Sequence, residues 1–162
     1  MKKLFLFSIS MLISLSSFSQ EVGLGVSAQG DRTIYMPIKV NESLRLEPSI
    51  YYYKNKDSGE FSGSSEEYEA LIGLFRLKPQ SDKSKIYYGA RAGYTAYHSK
   101  YGSNHEHFEG YKIEPTIGLE YMLVENLTVA GDVSFSYSNR NGNGRTLEYT
   151  STDSELSIRY YF

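Results

Sequence analysis

Cysteine is absent from all 162 residues, so no disulfide, thiolate nucleophile or cysteine-ligated zinc can contribute. An exported chain of this size without cross-links is held by its own hydrogen-bond ladder and packing. Positive charge is not in excess, with 17 Lys and Arg against 19 Asp and Glu. Nucleic acid needs a basic face, so it is excluded as a partner. Beyond the first twenty residues no apolar run approaches the roughly 18–20 residues of a membrane helix. Tryptophan is missing, and proline occurs only 4 times.

The first twenty residues stand apart. Lys2 and Lys3 precede an apolar stretch, Leu4 to Leu15, broken only by serines, and Ser17-Phe18-Ser19 follows. Charged start, short apolar core and small residues at the cleavage positions form the pattern of a secretory signal. The core is too short for a span of about 20 residues. The expected division is a signal peptide over 1–19 and one domain over 20–162. Loss of Lys2 and Lys3 makes the mature chain more acidic than the formal −2 of the whole.

Abundance falls on 16 Tyr, 8 Phe and 14 Gly, a β composition. The remainder divides into eight alternating segments. Val22, Leu24, Val26 and Ala28 share one face of the first, and Ile34, Met36, Ile38 and Val40 one face of the second. Leu44, Leu46, Pro48, Ile50 and Tyr52 share a face of the third. The fourth, "EYEALIGLFRLK", is apolar at both parities, so its register is ambiguous. The fifth to eighth again separate an apolar set (Ala90 to Ala96, Tyr111 to Tyr121, Leu127 to Tyr137, Leu156 to Phe162) from a polar one. A period of two over such lengths predicts strands. Connections after the third, fifth and seventh strands are long, and those after the second, fourth and sixth are short; the first, Gly30-Asp31-Arg32, is a short exception on the long side. Long outer loops with short periplasmic turns are the pattern of a membrane barrel.

Alternation alone leaves inside and outside open. A soluble calyx points its apolar face inward, a membrane barrel outward. Tyrosines favour the second. Tyr51, Tyr52, Tyr53, Tyr68, Tyr97, Tyr111 and Tyr137 fall at loop-side strand ends, and Tyr87, Tyr88, Tyr121, Tyr160 and Tyr161 at turn-side ends. Two aromatic belts around an aliphatic band match two membrane interfaces. Opposite the apolar face lie Lys39, Arg45, Glu47, Arg91, Lys112, Glu114, Glu120, Asp132, Glu155 and Arg159, with the two signs balanced. In a narrow lumen these can pair into an ionic plug. An eight-stranded barrel is just wide enough for its own side chains, so a plug is expected rather than a diffusion pore.

The closing stretch "ELSIRYYF" resembles the terminal strand of bacterial outer-membrane β-barrels. Terminal Phe162, aromatic Tyr160 and alternation through Ile158 back to Leu156 coincide. The resemblance implies that this strand is the signal read by the barrel assembly machinery. In length, strand count and loop pattern the mature chain looks like the small OmpA/OmpX-like barrels. Its glycine-rich first strand also fits the opacity-like, porin-like outer membrane protein β-barrel domains. The resemblance implies an all-β, eight-stranded antiparallel up-and-down transmembrane β-barrel in a Gram-negative outer membrane, exported through the periplasm. Expected partners are outer-membrane lipids and lipopolysaccharide, the assembly machinery, and an external partner met by surface loops.

Chemistry-bearing constellations are sparse. His98, His105 and His107 lie with Glu106 and Glu109 in one expected loop, without the spacing of a known metal site. His98 and Ser99 are adjacent, so on a strand they face opposite ways, which is poor for a hydrolytic triad. The reading is therefore a non-enzymatic barrel with a structural, adhesive or envelope-integrity role, without cofactor or metal. Its alternatives are a lipid-modifying barrel enzyme, marked by an ordered Ser/His/acid group at the outer rim, and a soluble ligand-binding calyx of lipocalin type, marked by an apolar interior.

Overall fold

A computed structural model describes residues 21–28, 33–57, 63–102 and 104–162; the expected signal segment, 1–19, lies outside them. Their regular elements are all strands: β1 (Glu21–Ser27), β2 (Thr33–Tyr35), β3 (Ile38–Asn41), β4 (Leu44–Asp57), β5 (Gly63–Pro79), β6 (Ser84–Tyr101), β7 (Asn104–Val124), β8 (Leu127–Gly142) and β9 (Arg145–Tyr161). Consecutive strands from β3 onward pair antiparallel, and β1 pairs with β9 to close the ring. Closure removes both sheet edges, so no row of backbone groups is left unpaired. Phe162 extends the seam by donating its N–H to the Val22 carbonyl at 2.8 Å.

β2 and β3 are one stave of an eight-stave barrel, since both lie between β1 and β4. The break falls at Met36-Pro37. Proline has no N–H to give to a ladder, and its carbonyl instead accepts from Gly23 N at 2.8 Å. The break leaves the register unchanged on both sides. Ile34 faces Val26 and Ile50, and Ile38 faces Val22 and Leu46, so both lie on the outward face, while Tyr35 and Lys39 face Ser49 and Arg45 on the inward one. The expected common face of Ile34 and Ile38 therefore continues across the proline.

Apolar side chains form a continuous outer band. Register carries it from Val26 to Ile34, Ile50 and Ala70, and one rung lower from Ile72 to Ala92 and Ile113. It returns through Val129 and Ile158 to Val26. Ile50, Ile72, Ile117 and Val133 are at least half exposed. A band of this kind would be unstable in water and is stable in hydrocarbon. Aromatic rings flank it at both ends. Tyr52 and Tyr68 meet at a tilt with centroids 5.0 Å apart, and Tyr111 and Tyr137 at 6.2 Å, on the loop side; Tyr160 and Phe162 meet at 5.3 Å on the turn side. The two expected belts are thinner than the tyrosine positions suggest. Tyr87 and Tyr161 are buried in the lumen, and Tyr51 and Tyr97 line an internal cavity.

The expected long loops are largely strand. Pairing continues to Asp57↔Gly63, Tyr101↔Asn104 and Gly142↔Arg145. At the last of these Asn143 and Gly144 take φ of 50° and 71°, the two positive values of the tightest hairpin turn. β7 has 21 residues, where a tilted membrane strand needs about 9–11. The barrel therefore projects beyond its apolar band as paired hairpins.

Candidate functional site

Inward parity brings charged residues from five strands to mid-barrel. Arg45 and Glu47 come from β4, Arg91 from β6, Glu114 and Glu120 from β7, Asp132 from β8 and Arg159 from β9. All are buried, and Arg45, Glu47 and Arg159 are fully so. A charge cannot be taken from water without partners, and these supply one another. Arg45 Nη1 donates to Glu120 Oε2 at 2.6 Å, and Arg159 Nη1 donates to the same oxygen at 3.0 Å. Arg91 donates from Nη1 to Glu114 at 2.7 Å and from Nη2 to Glu47 at 3.2 Å and Asp132 at 3.3 Å. Glu47 Oε2 also lies 3.1 Å from Arg45 Nε and 3.4 Å from Arg159 Nη2. These last two contacts are electrostatic, because neither is aligned as a hydrogen bond.

Glu47 is thus the common neighbour of three guanidiniums. Tyr87 donates to Asp132 at 2.6 Å, and the Arg45 guanidinium lies over the Tyr87 ring at 4.4 Å. Phe75, Leu77, Tyr87 and Ala130 pack together against this layer. Phe75 and Tyr87 meet edge to face at 5.5 Å. The lumen is therefore filled by guanidinium–carboxylate pairs interleaved with the Phe75 and Tyr87 rings.

Three of the ten charges read from the sequence stand apart from this cluster. Lys112 is next to it, with Nζ 2.9 Å from Glu69 and 3.1 Å from Glu114. Lys39 is at the turn end, paired with Glu21 and 3.9 Å above the Tyr161 ring. Glu155 faces the loop side and accepts from the Tyr35 hydroxyl. Sequence reasoning missed Tyr35, Glu67, Glu69 and Arg140. Tyr35 shares the inward face with Lys39 but carries no charge to mark it. Glu67 and Glu69 lie on β5, whose two faces are both apolar, and Arg140 lay in an expected loop. Arg140 pairs with Glu67 and lies 3.7 Å from Glu69.

Above the network the lumen opens into a polar cavity of about 580 Å³, walled by Ser134, Ser136 and Ser138 of β8 with Glu69, Lys112 and Arg140. Farther out, Lys54 and Glu66 pair on the hairpin of β4 and β5. The hydrogen bond from Lys54, helped by one from Tyr68 at 2.7 Å, holds the Glu66 carboxyl below its ordinary value. His98 is exposed and the adjacent Ser99 is buried, so this pair faces opposite sides of the wall and forms no hydrolytic couple. His105 and His107 are not in a loop. Both are laddered on β7, opposite Lys100 and His98.

No family model matches the chain, and no curated protein matches it. Solved structures do. Neisserial surface protein A is 15% identical over 88% of this chain and 93% of its own, with a TM-score of 0.64. A major outer membrane protein from Thermus thermophilus is 11% identical over 89% and 100%, with a TM-score of 0.54. The N-terminal β-barrel domain of OprF from Pseudomonas aeruginosa is 12% identical over 88% and 95%, with a TM-score of 0.52. With its ring closed by β1 against β9, the chain has the fold of the small eight-stranded outer-membrane β-barrels.

Proposed function

We propose that the protein is a non-enzymatic integral outer-membrane barrel, closed by an ion-paired plug, that acts through the surface of its outer hairpins. The observation that carries this reading is the convergence of Arg45, Arg91 and Arg159 on Glu47 across the lumen. An interior spanned by paired side chains leaves no continuous water path, and catalysis would need an aligned nucleophile and base. A rigid wall that carries paired hairpins beyond the apolar band suits display to a partner outside the cell. The role is then adhesion or envelope integrity, with membrane lipids and lipopolysaccharide around the band. Export depends on residues 1–19. The outward row Leu156, Ile158, Tyr160 and Phe162 carries recognition by the assembly machinery, with Tyr160 and Phe162 meeting edge to face on the lipid-facing side.

The test is conductance. The full chain is expressed in a Gram-negative host, recovered from outer membranes and checked for heat-dependent mobility on a gel. It is then incorporated into planar bilayers. The expected record shows no steady open level in neutral salt. Sustained ohmic conductance from a folded barrel would overturn the plug.

A further inference from the structure

Register places three ligating side chains in a row across the outer wall: Glu66 on β5 faces His98 on β6, and His98 faces His107 on β7. The two imidazoles touch, with ring centroids 4.2 Å apart and planes at 87°. Both residues are exposed on the barrel exterior. On β6 they lie beyond Tyr94, on the same face, and so outside the apolar band. Carboxylates flank the pair. Glu109 Oε2 lies 3.7 Å from His107 Nε2 and accepts from Tyr94 at 2.8 Å. Glu66 is fixed on the other side by Lys54 and Tyr68.

We propose that His98 and His107 form a two-imidazole site for a borderline divalent cation, Zn²⁺ or Cu²⁺. Imidazole suits both metals. Around a tetrahedral ion at Zn–N of about 2.0–2.1 Å, two nitrogens sit ~3.3 Å apart. Rings already in contact reach that spacing by side-chain rotation alone, because the β6–β7 ladder holds both backbones. Among the described residues no group of three ligating side chains has converged. The protein therefore supplies two donors, and water completes the shell. Glu109, bonded to Tyr94, stands where it can accept a hydrogen bond from such a water. Lys54 offsets the charge of Glu66, so Glu109 leaves one net negative charge beside the pair, which favours a cation at this place on the wall.

The test is titration of the folded full chain in detergent with ZnCl₂, and separately with CuSO₄, followed by calorimetry and copper electron paramagnetic resonance. One ion per chain is expected, with two equivalent nitrogens in the copper spectrum. His98→Ala and His107→Ala should each weaken binding by about tenfold or more, since either leaves a single imidazole without its chelate partner. His105→Ala, on the same face of β7 but opposite Lys100, should change it less than about twofold. All three positions are exposed, so heat-dependent mobility on a gel should persist. If a variant lost it, the nitrogen count in the unaltered chain would decide alone. No saturable binding, a single coordinated nitrogen, or equal loss on His105→Ala would overturn the site.

Discussion

Glu47→Ala should be the most damaging single substitution in the lumen, lowering the unfolding free energy by about 3–5 kcal/mol. Glu47 is fully buried, and its carboxylate is within 3.4 Å of groups on Arg45, Arg91 and Arg159. Its removal leaves three guanidiniums facing one another with one fewer counter-charge. Arg45 and Arg159 would retain only Glu120, and Arg91 would retain Glu114 and Asp132. Losing one partner of a buried pair costs much more than losing an exposed pair, because the remaining charge cannot return to water. The measurement is urea unfolding of the barrel in phospholipid vesicles, followed by tryptic protection and heat-dependent mobility. Lys39→Met is the comparison. Its partner Glu21 is well exposed, so the expected loss is about 0–1 kcal/mol. If Glu47→Ala and Lys39→Met cost the same, the cluster around Glu47 would not be a coupled unit.

Gly89→Ala should follow closely, with a loss at the upper end of about 1–3 kcal/mol and a lower yield of assembled barrel. Gly89 pairs with Phe75 on one side and Thr116 on the other. A Cβ there would lie 2.0 Å from the Leu74 carbonyl oxygen and 2.9 Å from the Phe75 Cα. Both are backbone atoms of the neighbouring strand, so no rotamer change relieves the clash. The β5–β6 ladder must open locally, inside a band where an unmade backbone hydrogen bond has no water to replace it. Gly131→Ala gives the contrast. The Cβ would meet only the Glu155 carbonyl, at 3.8 Å, and alanine restricts the unfolded chain more than glycine does. That change should be neutral or slightly stabilising. Equal stability of the two variants in vesicle unfolding would show that close approach at Gly89 does not limit the barrel.

Much of this was readable in advance, and the exceptions have physical causes. Arg45, Glu47, Arg91, Glu114, Glu120, Asp132 and Arg159 are inward because each lies opposite an unbroken apolar row. A period of two cannot place them otherwise once the row faces lipid. Tyr35 has inward parity but no charge to mark it, and a period of two cannot show that its hydroxyl meets Glu155. The face of β5 was undecided because Ala70, Ile72 and Leu74 compete with Leu71, Phe75 and Leu77. Only the pairing of Glu47 with Gly73 and Ile50 with Ala70 sets which triplet meets the membrane. The histidines looked like loop residues because Gly, Ser and Asn around them are turn formers. In the closed ring the strands on either side are already in register, and extending each ladder costs little more chain entropy.

Alternation, tyrosine abundance and the absence of long apolar runs were sufficient for an all-β chain with one greasy and one charged face, since side-chain period is a local property of an extended backbone. Which charges share a counter-ion, which tyrosines leave the interface for the lumen, and which histidines touch depend on stagger between strands far apart in sequence. Stagger arises only when the ring closes. Arg45 and Glu120 are 75 residues apart along the chain, and they meet because β1 seals against β9, a contact that no local stretch of sequence encodes.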